Sequence, residues 1–152
     1  ETLIVDAVIE ANERQRDAMI PKIEKLVGDL NGKKIGMLGL SFKPETDDMR
    51  ESPAIEIVAE LIKRGASIKA FDPVAMEESK HYISGIEYAH DEYDAIAGAD
   101  AMVIVTEWNQ FRALDLERVK SLLTAPKIAD LRNIYEPKEM RELGFEYVGV
   151  GR

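Results

Sequence analysis

The chain contains no cysteine, and this absence removes several chemistries at once. Without thiols the chain forms no disulfide bond, offers no thiolate to a metal and carries no cysteine nucleophile. It also has no apolar run near the roughly 20 residues that a membrane-spanning helix requires. Its first residues lack the basic region and the cleavage pattern of a signal peptide. We therefore expect a globular, cytoplasmic protein without a membrane-bound part.

Positive charge is scarce as well, because 20 lysine and arginine residues stand against 29 aspartate and glutamate residues. The resulting formal charge of −9 repels nucleic acids and acidic membrane surfaces on average, so we expect neither as a partner. A phosphate-bearing ligand would need a local cluster of cations and backbone N–H donors. That requirement narrows the search for a site.

The length and composition are those of one folded domain, with 152 residues of which 45% are hydrophobic and 32% charged. Residues 1–30 carry apolar side chains at helical spacing, and Pro21 should kink this helix or mark a junction. The chain begins without methionine and within this helical pattern, so we expect a fragment of a longer protein. We predict two units: a long helix over 1–30 and a domain over 31–152, with the helix docked on that domain or on a partner.

Strands and helices alternate beyond residue 33. Ser52 is a suitable N-cap, and Pro53 is well placed as the first helical residue after it. Strands separated by helices predict a parallel sheet covered on both faces, so the fold class is α/β, a Rossmann-like doubly wound parallel sheet preceded by a long helix. The predicted strands are 34–40, 67–71, 86–89, 101–106, 127–130 and 146–150, and the predicted helices are 53–63, 76–81, 91–97, 116–123 and 137–143.

Three cations follow predicted strands: Lys43, Arg50 and Arg132. Ligands of open parallel sheets bind beyond the carboxyl ends of the strands, so these cations should gather at the binding edge. Lys43 stands between Phe42 and Pro44, and the proline restrains its backbone. The donor fork of Arg132 suits a phosphate or a carbonyl and hydroxyl pair. This edge is predicted to bind a phosphorylated ligand with an aromatic ring.

Each of these residues also has a plainer interpretation. Lys43 is equally compatible with a solvated loop lysine, and the spacing by itself favours a loop salt bridge for Arg50. Asp47 and Asp48 lack further Mg²⁺ ligands at a recognisable spacing, which favours a solvated or loop-capping role. Trp108 is expected to pack in a core or an interface.

The glycines of the first strand, Gly36 and Gly39, begin like a dinucleotide fingerprint, but no third glycine follows at the required spacing. The loop over 41–52 is also far longer than the tight turn that places a pyrophosphate on a helix N-terminus. The sequence therefore favours close strand–helix packing as the reason for the glycine pair.

The segment 39–53, GLSFKPETDDMRESP, resembles the signature that opens the C-terminal domain of the UDP-glucose and GDP-mannose dehydrogenase family. The residues 106–108, together with Pro44 and Thr46, are most similar to the members that act on UDP-glucose, whereas those acting on GDP-mannose or UDP-N-acetylmannosamine tend to differ there. The resemblance extends to 71–73, 132–135 and 149–152, and 12–15 resembles the helix that joins the family's two domains.

The resemblance implies roles for individual residues. Phe42 and Lys43 would contact the UDP-sugar, with Lys43 near the diphosphate or the sugar, and Arg132 would also reach this substrate. Arg50 would reach across a cleft to NAD bound on the preceding N-terminal domain. The implied partners are thus UDP-glucose, that N-terminal domain, and a second copy of the chain through the central helix.

The family reaction oxidises the sugar C6 alcohol twice with two NAD, through covalent intermediates on a cysteine of the N-terminal half. Because this chain holds neither that cysteine nor the NAD fingerprint, we expect no catalysis by the chain alone. Three alternatives stay open: the equivalent domain of a GDP-mannose or UDP-N-acetylmannosamine dehydrogenase, a stand-alone nucleotide-sugar-binding or dimerisation module, and an NAD-binding domain in its own right. The incomplete fingerprint counts against the last of these, and the start within a helix counts against the stand-alone module.

Overall fold

Six strands form one sheet in the computed structural model, which describes residues 19–151. Their order is β3-β2-β1-β4-β5-β6, and every neighbouring pair is parallel. The carboxyl ends of all strands therefore lie at one edge, and the strand order reverses between β1 and β4. This confirms the predicted doubly wound parallel sheet. The strands are β1 Lys34–Leu38, β2 Ser67–Phe71, β3 Glu87–Tyr88, β4 Ala101–Ile104, β5 Lys127–Asp130 and β6 Glu146–Gly149.

Helices connect the strands and cover both faces of the sheet. The helix over 53–63 has its predicted bounds, with the Ser52 Oγ accepting a hydrogen bond from the Ala54 N–H as the N-cap. One short helix, 109–112, was not predicted, because a single turn is too short to show an apolar period. None of the helices described in 19–151 is long and apolar enough to cross a bilayer. The helices are α1 over 19–27, α2 Pro53–Lys63, α3 Met76–Ser79, α4 Glu92–Ile96, α5 Asn109–Arg112, α6 Leu116–Leu122 and α7 Pro137–Glu142.

Two of the predicted strands end two residues earlier than predicted, and β3 and β6 end one residue earlier. β1 stops at Leu38 because Gly39 has a φ of +93°, and the next N–H, that of Leu40, bonds to a side chain rather than to a neighbouring strand. β4 stops at Ile104, although the Val105 N–H still donates to the Leu38 carbonyl at 2.8 Å. Beyond both strand ends the backbone no longer pairs regularly with the neighbouring strands and takes part in the side-chain contacts at the edge of the sheet.

The first helix packs against the domain. Ile23 and Leu26 of α1 are buried in the same cluster as residues of β1 and α2, and each such burial contributes about 1.5–3 kcal/mol. Lys22 Nζ donates to the Gly149 carbonyl at 2.7 Å, which joins the helix to β6. The part of the helix that is described thus docks on its own domain. Residues 1–18 lie outside the described residues, and the division into 1–30 and 31–152 stays a prediction.

The strands alternate between two cores, one on each face of the sheet. Ile35 and Met37 of β1 face the core below α1 and α2, whereas Leu38 joins the opposite core. Gly36 lies against α4, where a Cβ would come within 2.7 Å of the Ala95 carbonyl oxygen. The predicted close packing of strand on helix is confirmed at this glycine.

Candidate functional site at the carboxyl edge of the sheet

Asp72, at the end of β2, anchors the start of the long loop after β1. It is fully buried, and its Oδ2 accepts hydrogen bonds from the Leu40 and Ser41 N–H groups at 2.7 and 3.1 Å. Its Oδ1 accepts from the Val74 and Ala75 N–H groups at 2.9 and 2.8 Å. One carboxylate therefore joins the loop after β1 to the loop after β2 and accepts hydrogen bonds from four backbone N–H groups, three of them buried.

The same contacts determine whether the backbone N–H groups after β1 are available to bind the pyrophosphate of a dinucleotide. A pyrophosphate in a Rossmann fold takes backbone N–H groups at the turn after the first strand and at the following helix N-terminus. Here the Asp72 carboxylate occupies the N–H groups of residues 40 and 41, and the Ser52 Oγ occupies that of Ala54 while donating to the Leu40 carbonyl at 2.5 Å. The position does not fit NAD, in agreement with the incomplete glycine fingerprint.

Gly39 lets the end of β4 approach the same loop. A Cβ at Gly39 would lie 2.6 Å from the Thr106 backbone nitrogen and 2.5 Å from its side chain. Across this contact the Thr106 Oγ1 donates to the Ser41 carbonyl at 2.8 Å. Gly39 therefore serves contact between two strand ends, whereas the sequence predicted packing against a helix.

Phe42 and Lys43 follow directly on this anchored backbone. The Phe42 N–H donates to the Asp48 carbonyl at 2.8 Å, and the Ser41 Oγ donates to the Lys43 carbonyl at 2.9 Å. Phe42 is 41% exposed, so its aromatic side chain is accessible to solvent at this edge. Lys43 is exposed, and within 19–151 its side chain makes no ion pair or hydrogen bond. The loop thus presents an aromatic ring beside an exposed lysine that forms no ion pair within 19–151.

Backbone strain is concentrated in this loop. Glu45 and Glu51 have φ values of +64° and +61°, in the left-handed region that costs a residue with a Cβ about 1–2 kcal/mol. Strain of this kind persists only where the surroundings impose it, and it is common at binding sites. The hydrogen bonds of Asp72 and Ser52 at the two ends of the loop supply that constraint.

Arg50 forms the loop salt bridge that the spacing favoured. Its Nε and Nη2 bind the two carboxylate oxygens of Asp48, each at 3.1 Å, while 79% of its side chain is exposed. The hydrogen bonds from Arg50 lower the pKa of Asp48, and the same contact raises the pKa of Arg50. Asp48 thus has a loop-capping role. The predicted contact of Arg50 with NAD stays a prediction.

Arg132 is positioned by the end of β5. Asp130 is fully buried and accepts hydrogen bonds from the Arg132 and Tyr135 N–H groups at 3.2 and 2.9 Å, and from the Tyr147 hydroxyl at 2.6 Å. The Arg132 side chain turns toward β4, where its Nε and Nη2 both donate to the Glu107 Oε2, at 3.1 and 2.5 Å. This buried aspartate plays the part at β5 that Asp72 plays at β2.

Asn133 completes the loop after β5. Its φ is +55°, and its side-chain amide exchanges two hydrogen bonds with the Val150 backbone, at 2.9 and 3.0 Å.

Burial, and then the nearby Asp130 carboxylate, raise the pKa of Tyr135 well above its ordinary value. Tyr135 therefore stays protonated and donates its hydrogen bond to the Phe111 carbonyl.

The structure places the sequence-predicted residues on two loops of one edge. Phe42, Lys43 and Arg50 follow β1, Arg132 follows β5, and β4 lies between these strands. The sequence could not assign a part to Glu107, because its partner is 25 positions away in the chain. Asp72 was visible only as a residue that ends a strand, since its loop partners are more than 30 positions away.

Trp108 packs in the core on the face of the sheet that carries α4, which confirms the core as one of the two environments predicted for it. It is 4% exposed, and within the described part of the chain its Nε1 has no hydrogen-bond partner. Phe111, three residues on, is fully buried in the same core. These two aromatic side chains support the edge from below and do not reach its surface.

Known proteins match this chain over nearly its whole length. It is 47% identical over 150 residues to the UDP-glucose 6-dehydrogenase of Rhizobium meliloti (strain 1021) and 39% identical over 150 residues to the UDP-glucose 6-dehydrogenase TuaD of Bacillus subtilis (strain 168). Each match covers 98% of this chain but only 34% and 32% of the relative, so the chain spans about a third of their length.

A solved structure supports the same relationship. A UDP-glucose dehydrogenase from the hyperthermophilic archaeon Pyrobaculum islandicum superposes with a TM-score of 0.80 at 32% identity, over 99% of this chain and 32% of that one. The sequence profile of the "UDP-glucose/GDP-mannose dehydrogenase family, UDP binding domain" matches residues 36–137, which include both loops of the candidate site. The resemblance inferred from the loop motif is therefore confirmed: the chain belongs to the UDP-glucose/GDP-mannose dehydrogenase family, as its UDP-binding domain.

Proposed function

We propose that this chain holds the UDP part of UDP-glucose within an NAD-dependent UDP-glucose 6-dehydrogenase that forms UDP-glucuronate. The observation that carries the proposal is that two loops, those after β1 and β5, are anchored at the same carboxyl edge of the sheet on either side of β4. One loop presents the exposed Lys43 and the other the half-buried Arg132, and each is fixed by a fully buried aspartate. The similarity to UDP-glucose 6-dehydrogenases supports this substrate over GDP-mannose.

The proposed contribution of the chain is positioning. Lys43 forms no ion pair or hydrogen bond within 19–151 and can approach a diphosphate, while the neighbouring Phe42 ring offers an apolar surface to the base or the sugar. Holding a substrate on loops that are already ordered lowers the entropic cost of reaching the reactive geometry. These residues bind and orient; they do not exchange protons or electrons with the sugar.

NAD would be held mainly by the N-terminal domain of the longer protein, where it would supply the hydride acceptor. Within this chain, Arg50 is the proposed contact, since its side chain is largely exposed despite the Asp48 pair. The remaining proposals follow the family: association with that N-terminal domain, a homodimer through the first helix, and a cytoplasmic location. The chain by itself is expected to be inactive, because it contains no cysteine.

Calorimetric titration of the chain with UDP, UDP-glucose, GDP-mannose and NAD tests the ligand class. UDP and UDP-glucose should bind, with NAD at least about tenfold weaker because its pyrophosphate position is occupied by Asp72. Lys43→Ala should weaken UDP binding about tenfold or more, as expected for loss of a charge-assisted hydrogen bond. Lys63→Ala, at the opposite edge on the last turn of α2, is the matched control and should leave the affinity unchanged.

The role of Arg50 requires the full-length enzyme. Arg50→Ala should raise the KM for NAD more than the KM for UDP-glucose, because the proposed contact is with the cofactor. Arg64→Ala removes another ion-paired arginine, on the far end of α2, and should change neither constant. Equal increases in both KM values after Arg50→Ala would contradict the assignment.

A further inference from the structure

Glu107 stands where the end of β4 meets both loops of the candidate site. Its neighbour Thr106 is fully buried and donates to the Ser41 carbonyl at 2.8 Å, in the loop that carries Phe42 and Lys43. This bond, and the approach to Gly39 that makes it possible, fix the backbone from which the Glu107 side chain extends. The side chain therefore starts from a defined position between the two loops.

The carboxylate of Glu107 is committed to one partner. Its Oε2 accepts hydrogen bonds from the Nε and the Nη2 of Arg132, at 3.1 and 2.5 Å. Its Oε1 is buried, and among residues 19–151 it has no hydrogen-bond partner. No second cation of the described chain forms an ion pair with it. The polar contacts of this carboxylate thus act on Arg132 alone.

The pairing determines how Arg132 can meet a ligand. A guanidinium has five N–H donors, and the Glu107 contact uses one on Nε and one on Nη2, so the Nη1 donors remain available. Holding the long side chain in one orientation before the ligand arrives lowers the entropic cost of binding. Because the carboxylate cancels the charge of the guanidinium, Arg132 offers directed donors, and Lys43 supplies the net positive charge.

We propose that Glu107 is a positioning residue for UDP binding, acting by holding the Arg132 guanidinium in its binding orientation. This inference rests on the proposed function, because it requires that Arg132 contact the UDP-sugar. It adds a residue that touches no ligand itself yet sets the geometry of one that does. Its effect should therefore depend entirely on the presence of the Arg132 side chain.

A double-mutant cycle measured by calorimetry with UDP tests this dependence. Glu107→Ala should weaken UDP binding about tenfold in the wild-type background and by less than about twofold in the Arg132→Ala background, because the group it orients is then gone. Equal losses in the two backgrounds would show that Glu107 supports the fold in general and would overturn the proposal. Glu60→Ala, which breaks the exposed pair with Arg64 on α2, is the control and should bind UDP like the wild type.

Conservative variants separate orientation from charge. Glu107→Gln keeps the length and an oxygen acceptor for Arg132, so its affinity for UDP should stay within about twofold of the wild type. Glu107→Asp keeps the charge but draws the carboxylate back by one methylene, so it should weaken binding. The reverse order, with Asp tolerated and Gln as weak as Ala, would overturn the proposal. Should Glu107→Ala fail to give a folded thermal transition, Glu107→Asp takes its place in the cycle.

The outcomes distinguish this inference from the proposed function. A wild-type chain that does not bind UDP contradicts both. If the wild type binds UDP, Arg132→Ala weakens this binding and Glu107→Ala does not, then the proposed function stands and only the role of Glu107 is contradicted. The result we expect is binding weakened about tenfold by Glu107→Ala, near-wild-type binding by Glu107→Gln, and less than about a twofold effect of Glu107→Ala in the Arg132→Ala background.

Discussion

The two edges of the sheet differ in how deeply the aspartates that bind their backbone are buried. At the carboxyl edge two fully buried aspartates, Asp72 and Asp130, bind backbone N–H groups of long irregular loops. At the amino edge Asp100 is only half-buried, and it accepts hydrogen bonds from the Lys34 N–H and the Thr124 hydroxyl, each at 2.8 Å. The carboxyl edge is thus held in shape by buried aspartates, whereas the amino edge is held by contacts nearer the surface.

Backbone conformation follows the same division. The non-glycine residues described in the left-handed region, Glu45, Glu51 and Asn133, all lie in loops of the carboxyl edge. Turns at the amino edge reach positive φ with glycine instead, as at Gly65 and Gly98, where no Cβ opposes it. Left-handed backbone strain is therefore avoided at the amino edge by glycine, and it is retained at the carboxyl edge, where the candidate site lies.

The largest expected effect is on the free energy of unfolding when a glycine is replaced by alanine, compared between one glycine at each edge. Gly39→Ala would place a Cβ 2.6 Å from the Thr106 backbone nitrogen at a φ of +93°, so overpacking and strain together should cost about 3–5 kcal/mol of unfolding free energy. Gly98→Ala meets nothing within 4 Å and should cost only the left-handed strain of about 1–2 kcal/mol. Urea denaturation of both variants measures the difference, and equal losses would contradict the contrast between the edges.

The next effect concerns the two classes of aspartate. Asp72→Asn replaces an acceptor by an amide that cannot accept from both pairs of backbone N–H groups, so we expect a loss of about 3 kcal/mol. Asp100→Asn keeps one acceptor in a half-exposed setting and should cost about 1 kcal/mol or less. UDP affinity should fall only with Asp72→Asn, since that aspartate anchors the proposed site. A larger destabilisation by Asp100→Asn would reverse the comparison.

Asn133 allows the strain and the hydrogen bonds of one loop to be separated. Asn133→Ala removes both bonds to Val150 and leaves the left-handed φ of +55°, for an expected loss of about 2–3 kcal/mol. Asn133→Gly removes the same bonds but tolerates the φ, so it should lose about 1 kcal/mol less. Thermal and urea unfolding of the pair give the two contributions. Identical stabilities would show that the left-handed backbone is not strained here.

The smallest effect is a pH dependence at the amino edge. The hydrogen bond from the Lys34 N–H is the main cause that lowers the pKa of Asp100 below its usual value. A lowered folded-state pKa means that the stabilisation is present above the unfolded-state value of about 3.9 and is lost as the pH falls through the folded-state value. The stability difference between the wild type and Asp100→Asn should therefore shrink between about pH 6 and pH 2. A difference that is constant over this range would contradict the pKa shift.

Regular elements were predictable where local pattern and geometry agree. The helix 53–63 had its cap, its proline and its apolar face in the sequence, and the structure gives the same bounds. The ends of β1 and β4 were not predictable, because their apolar residues continue beyond the points where the backbone turns to Asp72 and Ser41. Sequence patterns report which side chains prefer burial, and they do not report where a distant polar group captures an N–H.

The positions of the candidate residues were predictable for a similar reason. Lys43 and Arg132 each follow a strand of a parallel sheet, so topology alone assigns them to one edge. The loop motif 39–53 by itself indicated the family. The pairing of Arg132 with Glu107 could not be foreseen, because neither its spacing nor its residue types distinguish it from the many other charge pairs of an acidic chain.

The sequence by itself determined the alternation of elements, the parallel sheet and the edge at which the cations gather, because burial periods and strand direction are local properties of the chain. Only the tertiary structure decided that Asp72 fills the anion position after β1, that Gly39 admits Thr106, and that Glu107 holds Arg132. Each of those contacts joins residues more than 20 positions apart. Such contacts exist only once packing has brought two strand ends together, and no local pattern encodes them.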